Sequence, residues 1–428
     1  MYKDIAVCRV CGNSCLEPVL QLGQFALTGF FPETRQTPVD IAPLELVKCS
    51  HNGKHPCCGL LQLRSSYQFK RDYYLHYGYR SGLNRMMVQH LRCLAAKVCE
   101  RASLKAGDYV VDIGSNDATF LKAFGRKGLN LVGIDPSAES LQAFYSSQDR
   151  FIGDFFSARC YEQRIGVKAK VVASIAMFYN LEAPLEFARQ VYSILEDDGL
   201  WVFEQSYMPA MLDRCAYDTI CHEHLMYYGL SQIKWIVDRA GFKIVDVVFN
   251  DANGGSFCVM AAKVSSRRYR SFAGLTKLLG REKALGLDEV APYKKFSQDV
   301  FQHRSLLRAL IQRERKKGKR LIGWGASTKG NVVLQFCGLT DKDLDCIAEV
   351  NEDKFGSFTP GSLIPICSEQ EAKKRKPDYL FVLPWHFKKE FLMREKEYMK
   401  KGGALLFALP NIEVIKSDGS QDKSMRVF

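Results

Sequence analysis

The sequence contains no run approaching the ~20 apolar residues of a membrane-spanning helix. Its first residues, MYKDIAVCRV, lack the apolar segment of a secretory leader, so neither a membrane partner nor secretion is expected. Low-complexity tracts are absent, and so is a GxGxxG loop, which argues against a dinucleotide phosphate grip. The 15 cysteines, several with apolar neighbours, fit reduced thiols in the cytoplasm better than a disulfide scaffold. Acidic residues are the scarcer charge: 47 Asp and Glu face 60 Lys and Arg, a net +13. Such an excess draws nucleic acid, an anionic membrane surface or an anionic small substrate. The basic clusters, Arg267-Arg268 with Arg270 and Arg313 through Arg320, alternate with helix-like apolar spacing and read as solvated helix faces. No concentrated basic stripe with interleaved aromatics exists, so no nucleic-acid partner is expected.

At 428 residues the chain is too long for one compact domain and suits two or three. Residues 1 to about 70 are rich in cysteine and turns. From about 108 to 262 the runs YVVDIG, NLVGID, AKVVASIAMF, GLWVFEQ, FKIVDVVF and SFCVMAAK alternate with helix-like segments. That alternation predicts a parallel α/β sheet, with the last two runs forming an antiparallel hairpin over NDANGG. Residues 264–319 read as charged and mostly helical, broken at Pro292. Four more runs, KRLIGWGA, LDCIAEV, DYLFVLPW and GALLFAL, predict a second Rossmann-like α/β sheet.

Cys8-Arg-Val-Cys11 is a CxxC knuckle, and Cys49 with Cys57-Cys58-Gly59 can supply the other half of a structural zinc site. A small segment with little core needs such a staple. Cys58 is favoured over Cys57 because the following glycine permits the tight turn of a knuckle. His51 and His55, inside the wide second pair, are substitute ligands, and reduced cysteines without metal are the plainer reading.

Asp112-Ile113-Gly114-Ser115-Asn116-Asp117 follows a buried strand, and Asp135 ends the next one. In a doubly wound sheet both lie at the carboxyl edge, by the switch-point crevice. Gly114 lets the backbone approach a ligand, and Asp135 can accept two ribose hydroxyls. A loop with one glycine and then Ser-Asn-Asp is a poor cradle for pyrophosphate. Negative Asp112 and Asp117 repel phosphate while tolerating a sulfonium. S-adenosylmethionine is therefore the expected cofactor. Asp154 and Phe155 are candidate adenine contacts, although an ordinary strand-to-helix turn has the same appearance.

The segment from Tyr217 to Tyr228, YDTICHEHLMYY, crowds titratable side chains into one stretch. Its histidines are at i and i+2, not the i and i+4 of a zinc helix. A base oriented by a carboxylate, beside tyrosines that donate to an oxyanion, suits the composition. A structural crevice filled by aromatics suits it as well.

Together with CRVCG, CGLLQL, YGYRSGLN, VDIGSND, FEQSYMP, NGGSF, GWGASTKGN and LPWHF, this segment resembles the sugar C-methyltransferases of deoxysugar biosynthesis. Those enzymes act at C3 of nucleotide-linked 4-keto-6-deoxyhexoses, and the likeness runs over nearly the whole chain. The resemblance implies a zinc-binding domain (1–70), a class I Rossmann-like methyltransferase domain (71–263) and a C-terminal Rossmann-like domain that helps hold the nucleotide sugar (264–428). The protein, cytoplasmic as its cysteines suggest, is expected to act as a monomer. The resemblance implies that His224, made more basic by Glu223, removes a proton beside the ketone, with Tyr79 and His222 donating to the enolate. Three departures stand out. Cys221 and Tyr179 replace a tyrosine and a histidine of better-studied members, which makes Tyr217, Tyr179 and His222 replacements to consider. Ala118 stands where a glycine commonly follows SND and is tolerable if its φ is negative.

Ser327, Thr328, Lys329 and Asn331, in a turn between a strand and a helix, form an anion site suited to a diphosphate. A tight turn alone is the plainer reading. Glu349, Trp385 and His386, at neighbouring strand ends, are candidate contacts to the same ligand. The rival functions are a zinc-containing nucleic-acid methyltransferase, a sugar O-methyltransferase and a non-catalytic nucleotide-sugar binder.

Overall fold

The computed structural model describes residues 2–51, 57–69, 73, 79–125, 128–137, 141–147, 149–417 and 421–425. Its N-terminal region is built from β1 (Tyr2–Asp4), β2 (Leu16–Ala26), β3 (Ile41–Cys49), β4 (Leu61–Leu63) and β5 (Ser65–Tyr67). Strands β2, β3 and β4 form an antiparallel meander, burying Leu20, Leu44, Leu46 and Leu61.

The central sheet contains β6 (Tyr109–Ile113), β7 (Asn130–Ile134), β8 (Arg150–Ile152), β9 (Ala169–Ile175), β10 (Leu195–Ser206), β12 (Phe242–Asn250) and β13 (Ser256–Lys263). Its order is β12-β13-β10-β9-β6-β7-β8, parallel except for β13, which runs against both neighbours. The order reverses between β6 and β9, which fixes the ligand crevice at the carboxyl ends of these strands. Successive residues point to opposite faces. Val110, Val171 and Val202 meet the helix Arg85–Ala102 on one side. Val111, Val172 and Trp201 meet the helices Pro184–Ile194 and Leu230–Arg239 on the other. The predicted hairpin over NDANGG is β12–β13, and Asn253 and both glycines of its turn have positive φ.

One short strand crosses between regions. β11 (Met226–Tyr227) leaves the central unit and pairs with β4, giving the N-terminal sheet the order β11-β4-β3-β2. The histidine–tyrosine segment is thereby stitched to the cysteine-rich region.

Beyond β13, the helices Leu275–Ala284 and Ala291–Lys316 precede the third of the larger sheets, β1 and β5 pairing separately as a two-stranded ribbon. Pro292 lies in the first turn of the second helix, where its missing N–H costs nothing, so it starts that helix. Glu282, buried in the first helix, accepts the Leu230 and Ser231 amides and Tyr207 Oη, capping the helix Leu230–Arg239. The third sheet comprises β14 (Leu321–Trp324), β15 (Ile347–Glu349), β16 (Ile366–Ser368), β17 (Tyr379–Val382), β18 (Ala404–Phe407), β19 (Ile412–Ile415) and β20 (Gln421–Met425). Its order is β16-β15-β14-β17-β18-β19-β20, with the first five strands parallel, as expected of a second Rossmann-like unit.

The helix-face reading of the basic clusters holds for one of them. Arg313 and Arg315 close the helix Ala291–Lys316. Arg267, Arg268 and Arg270 lie instead in an irregular segment after β13, where the Phe272 amide bonds the Ile244 carbonyl of edge strand β12. No helix among the described residues is long and apolar enough to cross a membrane.

Candidate active site

The predicted cofactor loop leaves β6 at the switch point. Gly114 has φ +78°, and a Cβ there would press on the Met177 side chain at 3.1 Å. Asp135, at the end of β7, accepts the Asn116 amide at 2.8 Å on Oδ2 and the Ser137 amide at 2.8 Å on Oδ1. The Ser137 hydroxyl also donates to Oδ1, so Oδ2 is the oxygen that keeps a lone pair for a ribose hydroxyl. Tyr145 Oη bridges Ser115 Oγ (2.6 Å) and the Asn116 carbonyl (2.9 Å). Burial, with Asp135 nearby, pushes the Asp112 carboxyl up to about 8, so near neutral pH it is largely a neutral acid rather than the anion expected from sequence. Its Oδ1 is buried and has no hydrogen-bond partner among the described residues. An orphaned acid at the strand end, a glycine cradle and a carboxylate on the neighbouring strand fit the amino acid and ribose parts of S-adenosylmethionine. Asp154 and Phe155 follow β8, the next strand along, with the Phe155 ring exposed.

The segment 79–82 latches onto this loop, which the sequence reading missed. The Ser81 amide donates to Asn116 Oδ1 (3.0 Å), the Gly82 amide to Asp117 Oδ2 (2.8 Å), and Asn116 Nδ2 to the Tyr79 carbonyl (3.0 Å). A Cβ at Gly82 would lie 2.7 Å from Asp117 Oδ2, so only glycine permits this approach. The Tyr79 side chain is 46% exposed.

Ala118 departs from its expectation: its φ is +58° and it is fully buried at the start of the helix Thr119–Ala123. A left-handed alanine costs about 1–2 kcal/mol, whereas glycine loses about 0.4–1 kcal/mol through the unfolded chain. Ala118→Gly is therefore expected to stabilise the protein by up to about 1 kcal/mol, read as a higher denaturant midpoint with unchanged slope.

His224 is half-buried. Its Nδ1 lies 2.7 Å from the Thr219 carbonyl, which accepts only if Nδ1 carries the proton. Nε2 is then an unprotonated acceptor, and it has no hydrogen-bond partner among the described residues. Burial, countered by Glu223 and aided by Lys329, pushes the imidazole down to about 4, so it is neutral at physiological pH. The Tyr179 ring meets it edge-on with centroids 4.4 Å apart. The orienting group is thus a backbone carbonyl, not the expected carboxylate. Glu223 instead receives the Tyr73 hydroxyl, and a Cβ on Gly29 would fall 2.7 Å from its Oε1.

Two expected neighbours of His224 face elsewhere. His222 Nε2 donates to the Ala42 carbonyl of β3 (3.1 Å), a buried contact with the cysteine-rich region. Tyr217 is fully buried, its hydroxyl 3.2 Å from His303 Nδ1 and 3.6 Å from Cys337 Sγ. It joins the packing between its own turn and the helices Ala291–Lys316 and Thr328–Phe336, because the aromatic side chain has an apolar interface to fill there.

From the C-terminal unit, Lys329 reaches the NGGSF turn, Nζ donating to the Asn253 carbonyl at 2.6 Å. Its charge lowers the pKa values of both His224 and His386 after burial has done most of the work. Trp385 Nε1 donates to Asp218 Oδ2 (2.8 Å), and a Cβ on Gly254 would collide with its ring at 2.8 Å. Lys329 thus lies within electrostatic reach of both His224 and His386, and Trp385 packs against the same NGGSF turn that Lys329 bonds. Thr328 begins its helix beside them. The other expected anion ligands have structural partners. Ser327 Oγ caps its helix through the Gly330 amide. Asn331 is fully buried and donates to the Thr28 carbonyl. Glu349 accepts the amides of Ala326, Val350 and Asn351, which leaves it the support of the loop.

The thiols of Cys8, Cys11, Cys49 and Cys58 all lie within 4.8 Å of one another. Cys8–Cys58 and Cys11–Cys49 are each 3.5 Å apart. Thiolates 2.3 Å from one tetrahedral ion would be about 3.8 Å apart, so the set fits zinc. Cys57 Sγ turns to the Cys49 carbonyl (3.3 Å) and stands outside the four. His51 is exposed and also outside them, and His55 lies beyond the described residues. Lys48 is another residue the sequence reading missed. Fully buried, its ammonium donates to the Gly59 carbonyl (3.0 Å) beside the cluster, where it offsets negative charge on the thiolates.

Family models match along the chain: a zinc binding domain at residues 8–73, a methyltransferase domain at 87–247 and a C-methyltransferase C-terminal domain at 251–410. The C-methyltransferase NovU of Streptomyces niveus is 30% identical over 426 residues, covering 98% of this chain and 99% of NovU. The chain belongs to the C-methyltransferase family. It is an S-adenosylmethionine-dependent methyltransferase with a zinc-binding N-terminal region. Among solved structures, the magnesium protoporphyrin IX methyltransferase ChlM of Synechocystis, with bound S-adenosylmethionine, is 14% identical over 45% of this chain and 89% of its own, with a TM-score of 0.32. An S-adenosylmethionine-dependent methyltransferase of Clostridium acetobutylicum is 12% identical over 41% and 92%, with a TM-score of 0.33.

Proposed function

We propose that this C-methyltransferase methylates C3 of a nucleotide-linked 4-keto-6-deoxy sugar. The observation that carries the reading is His224: a neutral imidazole with Nδ1 held by a carbonyl, Nε2 left without a partner among the described residues, and a lysine from the C-terminal unit within electrostatic reach. A carbon beside a ketone becomes a nucleophile only after losing a proton. His224 Nε2 takes that proton, and the Tyr179 and Tyr79 hydroxyls donate to the enolate oxygen. S-adenosylmethionine supplies the methyl group as an electrophile. Asp135 holds its ribose, Asp112 and the 114–117 loop its amino acid part, and Asp154 with Phe155 its adenine. Placement of the two partners in one crevice supplies much of the rate. Lys329, Thr328, Trp385 and His386 bind the diphosphate side of the substrate. Cys8, Cys11, Cys49 and Cys58 hold the zinc. We divide the chain into domains near 70 and 263, and 15 cysteines with no disulfide among them suit the cytoplasm.

Lys329→Met should raise KM for the sugar nucleotide at least tenfold with little change in S-adenosylmethionine affinity, measured by steady-state kinetics and calorimetry. The function itself is tested by incubating the protein with S-adenosylmethionine and a panel of 4-keto-6-deoxy sugar nucleotides. A gain of one methyl mass with loss of the C3 proton signal is expected. Methyl gain on RNA and none on the panel would overturn the reading, a product that has lost its C5 rather than its C3 proton would move the methyl to C5, and one with both protons intact would make the enzyme an O-methyltransferase.

A further inference from the structure

The irregular segment after β13 carries Arg268 and Arg270 to the C-terminal end of the helix Arg85–Ala102, where Arg101 stands in the last turn. The three arginines surround a cavity of about 500 Å³ whose lining includes Tyr269, Ser271 and no carboxylate. Lys263, which ends the strand before this segment, is by contrast paired with Asp197. None of the three arginines forms an ion pair among the described residues. Asp198, bonded to Ser266 Oγ (2.6 Å), lies close enough to feel Arg268.

Two of the guanidiniums are fixed by neutral groups. Arg268 Nη2 donates to the Ala102 carbonyl (3.2 Å) and Ser103 Oγ (2.7 Å), and Arg101 Nη2 to the Val245 carbonyl (3.4 Å). These bonds hold the side chains in place without cancelling their charge. The weak negative end of the helix dipole offsets only part of it. Tyr269 is buried, and the Arg268 guanidinium lies 5.5 Å from the centre of its ring.

The position excludes a subsite of the reaction cleft. The helix starts at Asn84, beside the cofactor loop, and its 18 residues carry the chain about 27 Å toward the opposite edge of the sheet at 1.5 Å per residue. We propose that Arg101, Arg268 and Arg270 form a second, anion-binding site that takes a phosphate-bearing small molecule. Guanidinium forks match phosphate oxygens two at a time. The volume exceeds that of a bare phosphate ion and leaves room for an organic portion against the Phe272 ring, which also lines the cavity.

The test is calorimetric titration of the full chain with inorganic phosphate, pyrophosphate and ADP at matched ionic strength, each against Arg270→Glu and Arg101→Ala. Arg270 is exposed and has no structural hydrogen bond among the described residues, so its variant should fold even if that of Arg101 does not. Binding of at least one probe that weakens tenfold or more in Arg270→Glu, with methyl transfer unchanged, is expected. Preference for ADP over inorganic phosphate would identify a nucleotide-like ligand, and equal affinity a simple phosphate, both within the proposal. Absence of binding above the chloride control, equal affinity in wild type and Arg270→Glu, or loss of binding in Lys329→Met instead would overturn it.

Discussion

Replacing His224 by alanine is expected to lower methyl transfer roughly 10²–10⁴-fold, the range that a positioned general base contributes, while S-adenosylmethionine affinity stays within a fewfold of wild type. The cofactor loop at 114–117 and Asp135 hold their shape through bonds that do not involve His224. Exchange of the substrate's C3 proton with solvent deuterium should vanish in parallel, because it needs only the base. Free imidazole should restore part of the turnover in His224→Gly. The pH profile follows from the same environment. The catalytic form is neutral, and burial holds the imidazole near 4, so kcat/KM should persist well below 6.5 and fall only as pH approaches 4. Stability moves with the same sign. His224 and His303, the latter also pushed down to about 4 by burial, are neutral when folded but take up protons below 6.5 when unfolded. Their contribution is complete above 6.5 and declines as pH falls toward 4. Turnover and exchange that both survive in His224→Ala would remove this residue from the base role.

The strands were legible because both parallel sheets are buried on two faces, and runs such as YVVDIG and DYLFVLPW carry that burial in their composition. The cofactor loop was legible for a related reason: its glycine and carboxylates sit where strands end. Orientation was not. Tyr217 and His222 have the residue types of an active site, but which way each faces depends on partners 86 and 180 residues away, His303 and Ala42. Asn331 likewise bonds Thr28, 303 positions distant. The arginines at 267–270 have helix-like spacing, yet the chain there must return along edge strand β12, and that backbone pairing overrides the pattern. Glu223 next to His224 suggested a direct pair. Adjacent residues in a turn point apart, however, and the carbonyl of Thr219 orients the imidazole instead.

Removing the zinc should abolish methyl transfer, by at least 100-fold, without unfolding either α/β sheet. Zinc contributes about 10–16 kcal/mol of apparent binding energy to small cysteine-rich domains. The region around Cys8, Cys11, Cys49 and Cys58 has only a short meander to replace it. The reason the loss reaches the cleft is the set of bonds that join the two. The Leu63 amide bonds the Leu225 carbonyl, β4 pairs with β11, and His222 holds Ala42. Gln232, which caps the helix Leu230–Arg239 through the Gly229 amide, donates to the carbonyl of the zinc ligand Cys58 itself. Without the ion these contacts lose their anchor, and the turn that places the Thr219 carbonyl under His224 loosens. Chelation, or Cys58→Ala, should therefore speed amide exchange in residues 221–232 while the amides of β6, β9 and β17 remain protected. Cys57→Ala should retain its zinc and its activity, since that thiol faces the Cys49 carbonyl. A metal-free protein that keeps wild-type turnover would show that the catalytic segment stands without the cysteine-rich region, and the β4–β11 pairing would then be packing alone.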